Sequence, residues 1–526
     1  MKRNAIILAA GASKRFAPFT YEKPKGLFCV RGEILIERQI EQLREAGVED
    51  IYVVIGFMKE KFFYLEEKYG VKLVINNSFA DKGNLYSLYK TRKFMKNTYI
   101  CCADHYFTEN PFQEETTYSY RACIRSEEKL HEFTVDVSDC DVITGFHVGE
   151  AREICMVGHA FFNENFSRKF VELMEEEIED FGISKLFWEE FYARHQKELT
   201  LYVKYYETDK IQEFESVNDL REFDNGFLDN IDSTIVKNIC NVLQCKPNDI
   251  KKIDVIQRGL TNVSFSFTVD GKQYVYRHPG GTASKLVDRE SEYWTQYKAF
   301  ELGLDKSLIY MDKSGWKISY YVQNLVESNL TDEYQLEKAM EYLRKLHCVK
   351  VTGNIKNFDT FLEAEKLMKI ASFSKGNLIE EFAELYNKMQ KLDVYLKADG
   401  VTTRVLCHND TYAPNYLVTE KGEMYLIDWE YAGINDPAND IGCILCRDNY
   451  TDEEIEHYLK VYFGRKLTEN EHRHYIAYIA LSGFYWFCWG LYKGSVNDDD
   501  GFFFLPAYRS CRRFADRALK MYMVEE

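Results

Sequence analysis

Apolar positions recur along the chain with two different periods, and the change of period marks out its parts. Short continuous apolar runs, "NAIILAA", "IYVVIG", "KLVINN" and "TYICCAD", are separated by segments in which apolar residues return every three or four positions, "EILIERQIEQLREAG", "MKEKFFYLEEKYG" and "NLYSLYKTRKFM". Short runs suit strands buried on both faces, and the longer period suits crossover helices, so the alternation predicts a mostly parallel, Rossmann-like α/β sheet. The pattern loosens after about residue 115, and "TDKIQEFESVNDLREFD" at 208–224 predicts a closing strand and short helix. Asn225 and Gly226 in "NGFLDN" are turn signals, which places a first domain at 1–226. The second domain, 227–526, follows this linker, and from about 231 a helix leads into β-rich segments punctuated by "RGLTN", "DGK" and "PGG", predicting a five-stranded antiparallel lobe over about 231–325. Beyond Val326 amphipathic helices dominate to residue 526, interrupted at 404–431.

Composition narrows the function classes. A chain of 526 residues, 46% hydrophobic, can bury two or three cores. Its formal charge of -17 repels nucleic acid and anionic membrane surfaces, so nucleotide phosphates need local basic clusters. The opening "MKRNAIILAAGA" is not read as a signal peptide, because its apolar run is short and Lys14 and Arg15 follow at once. No run approaches the ~20 apolar residues that span a bilayer. Fourteen scattered cysteines in a large chain fit a reduced, cytoplasmic setting, and Cys443 and Cys446 read as buried helix thiols, not as a metal site.

The stretch "CHNDTYAPNYLV" at 407–418 places Asn415 five positions after Asp410, and "YLIDWEY" supplies Asp428 at a strand end. Phosphoryl transfer needs a carboxylate that orients and deprotonates the attacking hydroxyl, here Asp410, and oxygen ligands for Mg2+, here Asn415 and Asp428. Upstream, Gly259 and Asn262 in "RGLTN" sit where backbone closes over phosphates. Arg277 in "YVYRHPG" and Glu290 supply the cation and carboxylate that kinases pair against the α and β phosphates. Trp486, Trp489 and Tyr492 recur every three residues and share one helix face. Aromatic faces recognise a quaternary ammonium, which has no N–H to donate.

In the first domain "LAAGASKRFAPFTYEKPKGL" sets a glycine turn after a buried strand, so backbone groups of Ala10, Gly11 and Ser13, with Lys14, can hold phosphate. Arg15 offers a bidentate fork and Lys25 a charge for the α phosphate. The Rossmann fingerprint G-x-G-x-x-G is missing. Asp104 in "CCADHYF" ends a strand at the sheet edge where ligands of open α/β sheets collect, and suits Mg2+.

Through "GLTN", "YVYRHPG", "DRESE", "CHND....N", "YLIDWEYAGINDP", "WFCWGLYKG" and "YRSCRRFA", the second domain resembles the bacterial choline kinases of the choline/ethanolamine and aminoglycoside kinase family. The resemblance implies a protein-kinase-like α+β fold with a β-rich N-lobe and helical C-lobe. It further implies ATP with Mg2+, and an acceptor alcohol with a cationic head caged by Trp486, Trp489 and Tyr492, with Glu430 and the cluster Asp498–Asp500 as neutralising carboxylates. Through "NLYSLY", "ADHYF", "GHAFF" and "FWEEFY", the first domain resembles phosphocholine cytidylyltransferases. That likeness implies CTP bound with help from Asn84, Glu215 in the place of a second metal-binding Asp, and Trp188 with Glu189 beside a second ammonium. Together the two imply conversion of choline to phosphocholine and then to CDP-choline. Ethanolamine, or an aminoethylphosphonate acceptor for the first domain, is the alternative. A scaffold with two dead folds is opposed by the retained Asp410, Asn415, Asp428, Asp104, Arg15 and Lys25, and an aminoglycoside acceptor by the tryptophan-rich stripe.

Overall fold

The structure is a computed structural model and describes residues 2–114, 116–126, 133–256, 262–280, 286–350, 353–371, 381–495 and 501–523. Gly259 and Asp498–Asp500 lie outside these residues. By contacts the chain forms two compact units, Met1–Val255 with Thr268–Asp270, and Ile256–Phe267 with Gly271–Glu526.

The first unit is built on β1 (Asn4–Ala9), the run that opens the sequence, whose six residues are all buried. Alternation along it sends Ile6, Leu8 and Ala10 into one core and Ala5, Ile7 and Ala9 into another, so the sheet is covered on both faces. Helix α1 (Leu35–Glu45) adds Ile36, Ile40 and Leu43 to the second core, and α2 (Asn84–Thr91) adds Leu85 and Leu88 to the first. β1 pairs in parallel with β2 (Asp50–Ile55) and β4 (Thr98–Cys102), and β2 with β3 (Lys72–Ile75). These are the strands the alternating pattern predicts.

The later strands are β5 (Tyr120–Arg125), β6 (Phe133–Val137), β7 (Ile143–Val148), β8 (Ile154–Phe162) and β9 (Tyr202–Tyr205). β8 joins β4, β5 and β6 antiparallel, giving the order β7-β6-β8-β4-β1-β2-β3, with β5 also beside β8 and β9 parallel to β5. The nine-stranded sheet is therefore mixed, parallel only where crossover helices intervene. Helices α3 (Glu164–Glu177) and α4 (Trp188–Arg194) follow β8.

The expected domain break at 226/227 differs from the division by contacts. Phe227 packs edge-on at 5.7 Å against Phe19, Lys23 Nζ donates to the Ile231 carbonyl at 2.6 Å, and the Glu22 carboxylate accepts from Thr234 N at 2.8 Å. Glu22 thus caps α5 (Thr234–Leu243) and ties it to the first unit.

A five-stranded sheet follows, β10 (Lys251–Ile256), β11 (Val263–Val269), β12 (Lys272–His278), β13 (Leu308–Met311) and β14 (Lys317–Tyr320), in the order β10-β11-β12-β14-β13. β12 and β13 flank β14 antiparallel, as the turn-punctuated sequence predicts. α6 (Arg289–Glu301) comes between β12 and β13 in the chain, and β15 (Leu325–Val326) leads to α7 (Glu333–His347), α8 (Thr360–Ile370) and α9 (Glu381–Ala398). The catalytic-loop region holds β16 (Val405–Cys407), β17 (Tyr416–Thr419), β18 (Met424–Leu426) and β19 (Gly433–Asn435). Then come α10 (Pro437–Leu445), α11 (Asp452–Phe463), α12 (Glu469–Ser495) and α13 (Gly501–Met523). α12 is the axis of the helical part, and α10 lies so close that a Cβ on Gly442 would stand 2.6 Å from the Tyr478 carbonyl. All fourteen cysteines are free, and no described helix is long and apolar enough to cross a membrane.

His474 on α12 locks this region. Its Nδ1 lies 2.7 Å from Asp399 and its Nε2 3.2 Å from Asp436. Burial opposes the charged ring, but the two carboxylates prevail and hold its pKa at about 9. A raised folded pKa contributes stability that is complete below the unfolded value near 6.5 and is lost as pH rises through about 9. The melting-temperature difference between wild type and His474→Gln should therefore be largest at pH 6 and shrink steadily toward pH 10. A difference constant over that range would mean the ring is neutral.

Candidate active sites

In the second unit, β16 delivers His408, Asn409 and Asp410 to a loop held from below by α10. The Asp440 carboxylate accepts from His408 N at 3.0 Å, from Asn409 N at 2.6 Å and from His347 Nε2 at 2.9 Å. Asn409 sits at φ +64°, a region costly for a non-glycine residue. Its side chain holds it there, donating to the Tyr431 carbonyl at 3.0 Å and accepting from Asn435 and Asn439 at 2.9 Å each. Asp428 is in the same strained region at φ +68°.

Asp410 Oδ2 accepts from Asn415 Nδ2 at 3.0 Å, and Oδ1 accepts from Arg447 Nη2 at 3.1 Å. Burial pushes this carboxyl up to about 7, Arg447 pulls against it, and the Asp428 charge adds to the rise. A carboxylate poised near neutrality suits a general base. Ile427 N donates to the Asn415 carbonyl at 2.9 Å, which sets Asn415 beside Asp428 across the β17–β18 hairpin. Asp428 in turn lies 3.5 Å from Arg277 Nη1, and Asn262 donates to Glu430 at 2.7 Å. The structure thus brings together Asp410, Asn415, Asp428, Glu430, Arg277 and Asn262.

It does not bring Glu290 to Arg277. The buried guanidinium pairs with Glu292 and donates to the Gly315 carbonyl at 2.8 Å, whereas the exposed Glu290 accepts from Asn354 at 3.1 Å. α6 begins at Arg289, and Glu292 lies on its buried face, while Glu290 points away in the first turn. Glu292→Gln should accordingly raise the KM for ATP in phosphotransfer by about tenfold or more, equivalent to ~1.4 kcal/mol, with Glu290→Gln staying within about twofold. Equal effects from the two variants would return Glu290 to the site.

The aromatic stripe reaches this site from α12. Trp489 Nε1 donates to the Tyr431 hydroxyl at 3.0 Å, and the Tyr431 and Trp486 rings meet edge-on at 5.6 Å. Trp486, Trp489 and Tyr492 are buried, and the Arg447 guanidinium lies over the Trp486 ring at 3.8 Å.

In the first unit, β1 and β4 end together, with Ala103 N donating to the Leu8 carbonyl at 3.0 Å, so the Ala10–Ser13 turn and Asp104 share one sheet edge. Ser13 has φ +45° and Gly11 is exposed with open space around it. Gly26 permits the Lys25 turn to press on Ala103, since a Cβ there would lie 2.9 Å from the Ala103 Cβ. Lys25 Nζ reaches Asp104 at 2.9 Å and donates to the Phe214 carbonyl at 2.7 Å. Burial works against the Asp104 charge, but Lys25 and His105 outweigh it and hold the carboxyl well below its usual range.

Lys14 is exposed, and Arg15 forms an exposed ion pair with Glu215. The inward carboxylate of this segment is Glu213, 3.0 Å from His105 and accepting from Gly158 N at 2.6 Å. Burial opposes its charge, and His105 holds it at about 2. Asn84 accepts from Trp188 N at 2.7 Å, joining the starts of α2 and α4. Trp188, expected beside an ammonium, is a core residue at 2% exposure, because the apolar face of α4 turns inward. Glu189 lies 3.5 Å from Arg121, whose guanidinium is 5.6 Å from the Trp188 ring.

Two clusters of metal-binding residue types occur among the described residues, Cys102–Asp104–His105 and His347–Cys407–Asp440. Mg2+ prefers hard oxygen donors, which thiols and imidazoles are not. Asp440 is moreover already occupied with three N–H groups. Asp104 in one unit, and Asp428 with the Asn415 amide oxygen in the other, fit that ion better. Glu292, Asp440, Arg447, His105, Glu213 and Arg121 escape the sequence reading.

Residues 318–476 match the model of the phosphotransferase enzyme family, and residues 5–121 that of the MobA-like NTP transferase domain. The choline-phosphate cytidylyltransferase of Streptococcus pneumoniae is 35% identical over 220 residues, 42% of this chain and 96% of that protein. A 2-aminoethylphosphonate cytidylyltransferase of Lancefieldella rimae is also 35% identical, over 43% of this chain and 94% of its own. The crystal structure of choline kinase LicA from Streptococcus pneumoniae is 23% identical with a TM-score of 0.44, over 55% of this chain and 98% of that one.

Proposed function

From a chain that belongs to the MobA-like nucleotidyltransferases through its first unit and to the phosphotransferase enzyme family through its second, we propose a two-step synthesis of a CDP-amino-alcohol. The second unit phosphorylates the amino-alcohol from ATP, with choline as the first reading. The first then joins phosphocholine to the CMP moiety of CTP and releases pyrophosphate. Choline is the acceptor on which the two halves agree, because the product of a choline kinase is the acceptor of a choline-phosphate cytidylyltransferase. The observation that carries the reading is the presence, in one chain, of two carboxylates held by cations at nucleotide-type sites, the buried Asp410 by Asn415 and Arg447, and the part-buried Asp104 by Lys25.

In phosphotransfer Asp410 orients the acceptor hydroxyl and takes its proton as the new O–P bond forms, while Asn415 fixes the carboxylate. Arg277, anchored by Glu292, faces the nucleotide phosphates. Mg2+ at Asn415 and Asp428 supplies charge neutralisation when bound. In cytidylyl transfer a phosphate oxygen of the acceptor attacks the α phosphorus of CTP and pyrophosphate leaves, with Lys25 and Arg15 countering the developing negative charge. Asp104 is the carboxylate suited to Mg2+ in that unit.

A second reading, ethanolamine in place of choline, is favoured by the Arg447 guanidinium on the Trp486 face. An aminoethylphosphonate acceptor needs no phosphorylation and would leave the second unit outside the pathway.

Two single substitutions test the assignment. Asp410→Asn should cut phosphocholine formation by ~100-fold or more and spare CDP-choline synthesis from supplied phosphocholine. Asp104→Ala should do the reverse. Loss of both activities in a folded Asp410→Asn protein would refute separate sites.

A further inference from the structure

The ring faces at the acceptor site already carry cations of the chain itself. Arg447, at the end of α10, lies with its guanidinium 3.8 Å from the centre of the Trp486 ring and 4.6 Å from that of Tyr412, while one of its nitrogens donates to Asp410 at 3.1 Å. At 3.8 Å the planar group is in van der Waals contact with the indole. Lys493 Nζ, also buried, lies 5.4 Å from the centre of Trp489. Two cations therefore stand where a cationic head group would seek the same two rings.

We propose that Arg447 is the specificity-determining residue of the acceptor site, selecting an alcohol with a primary ammonium over one with a quaternary ammonium. The inference rests on the reading of Asp410 as the base, and it takes ethanolamine, the second reading above, over choline as the acceptor this unit prefers. A quaternary ammonium has no N–H and binds by laying its methyl groups on aromatic faces, so a guanidinium already in contact with Trp486 removes the surface it depends on. A primary ammonium is compact and donates up to three hydrogen bonds, for which the Glu430 carboxylate is an acceptor at this site, while Asp410 serves the hydroxyl. Both heads meet the Arg447 charge, but only the primary one has hydrogen bonds to set against it.

The test compares choline and ethanolamine as acceptors, with saturating ATP and Mg2+, in the full-length wild type, Arg447→Met and Arg447→Gln. Methionine keeps the length of the stem and glutamine keeps a donor for Asp410, so the two variants perturb folding differently. The quantity read is the ratio of kcat/KM for choline to that for ethanolamine, because both acceptors use the same Asp410 and a change in its basicity cancels. The wild-type ratio should lie below one and rise about tenfold in both variants, within the range that pocket contacts discriminate. A wild type that prefers choline, or a ratio unchanged within about twofold in the variants, overturns the role of Arg447 and leaves the phosphotransferase reading standing. A wild type that phosphorylates neither alcohol overturns the amino-alcohol reading, and this inference falls with it.

Discussion

Asp410 is withdrawn from water and Asp104 partly so, and each is held by a cation contributed from a distant part of its own unit, Lys25 at 2.9 Å and Arg447 at 3.1 Å. A buried carboxylate without such a partner would take up a proton or unfold its surroundings. The pairing constrains much else. Lys25 reaches Asp104 only because Gly26 lets its turn press on the end of β4. Arg447 reaches Asp410 only because α10 is drawn against α12, where Gly442 has no Cβ to hold the helices apart. Glycine packing far from any phosphate thus determines where charge can be kept.

The two pairings leave their carboxyls in opposite states. At Asp104 the Lys25 and His105 charges overcome burial, and the group stays ionised throughout the physiological range, as a group suited to a cation should. At Asp410 burial and the neighbouring Asp428 outweigh Arg447, and the group titrates at about 7, as a group that must accept and release a proton should. The same residue type is tuned to two tasks by the balance of desolvation against nearby charge.

Much of this was legible in the sequence where periodicity or spacing is local. The parallel strands β1 to β4 follow from short apolar runs, and Asp410, Asn415 and Asp428 from their separation in one stretch. What was hidden depends on contacts between distant segments. Glu292 and Glu290 are two residues apart in one helix, and only the orientation of α6 against β12 decides which meets Arg277. The antiparallel half of the sheet was obscured because its strands are linked without crossover helices. The reach of the first unit past 226 was hidden for a similar reason, since Glu22 caps a helix more than two hundred residues away.

Arg447 shows the limit most clearly. The tryptophan stripe is visible as a three-residue repeat on α12, and in the structure it lies against Tyr431. Its occupant comes from α10, some forty residues earlier, in a stretch that reads as an apolar helix end. An aromatic motif specifies a surface that cations prefer, but it does not specify whose cation. When the chain supplies one, the same rings that would attract a ligand serve to orient a side chain, and the recognition chemistry passes from the ring faces to the carboxylates around them. The identity of an acceptor is then written less in the motif than in the single residue that faces it.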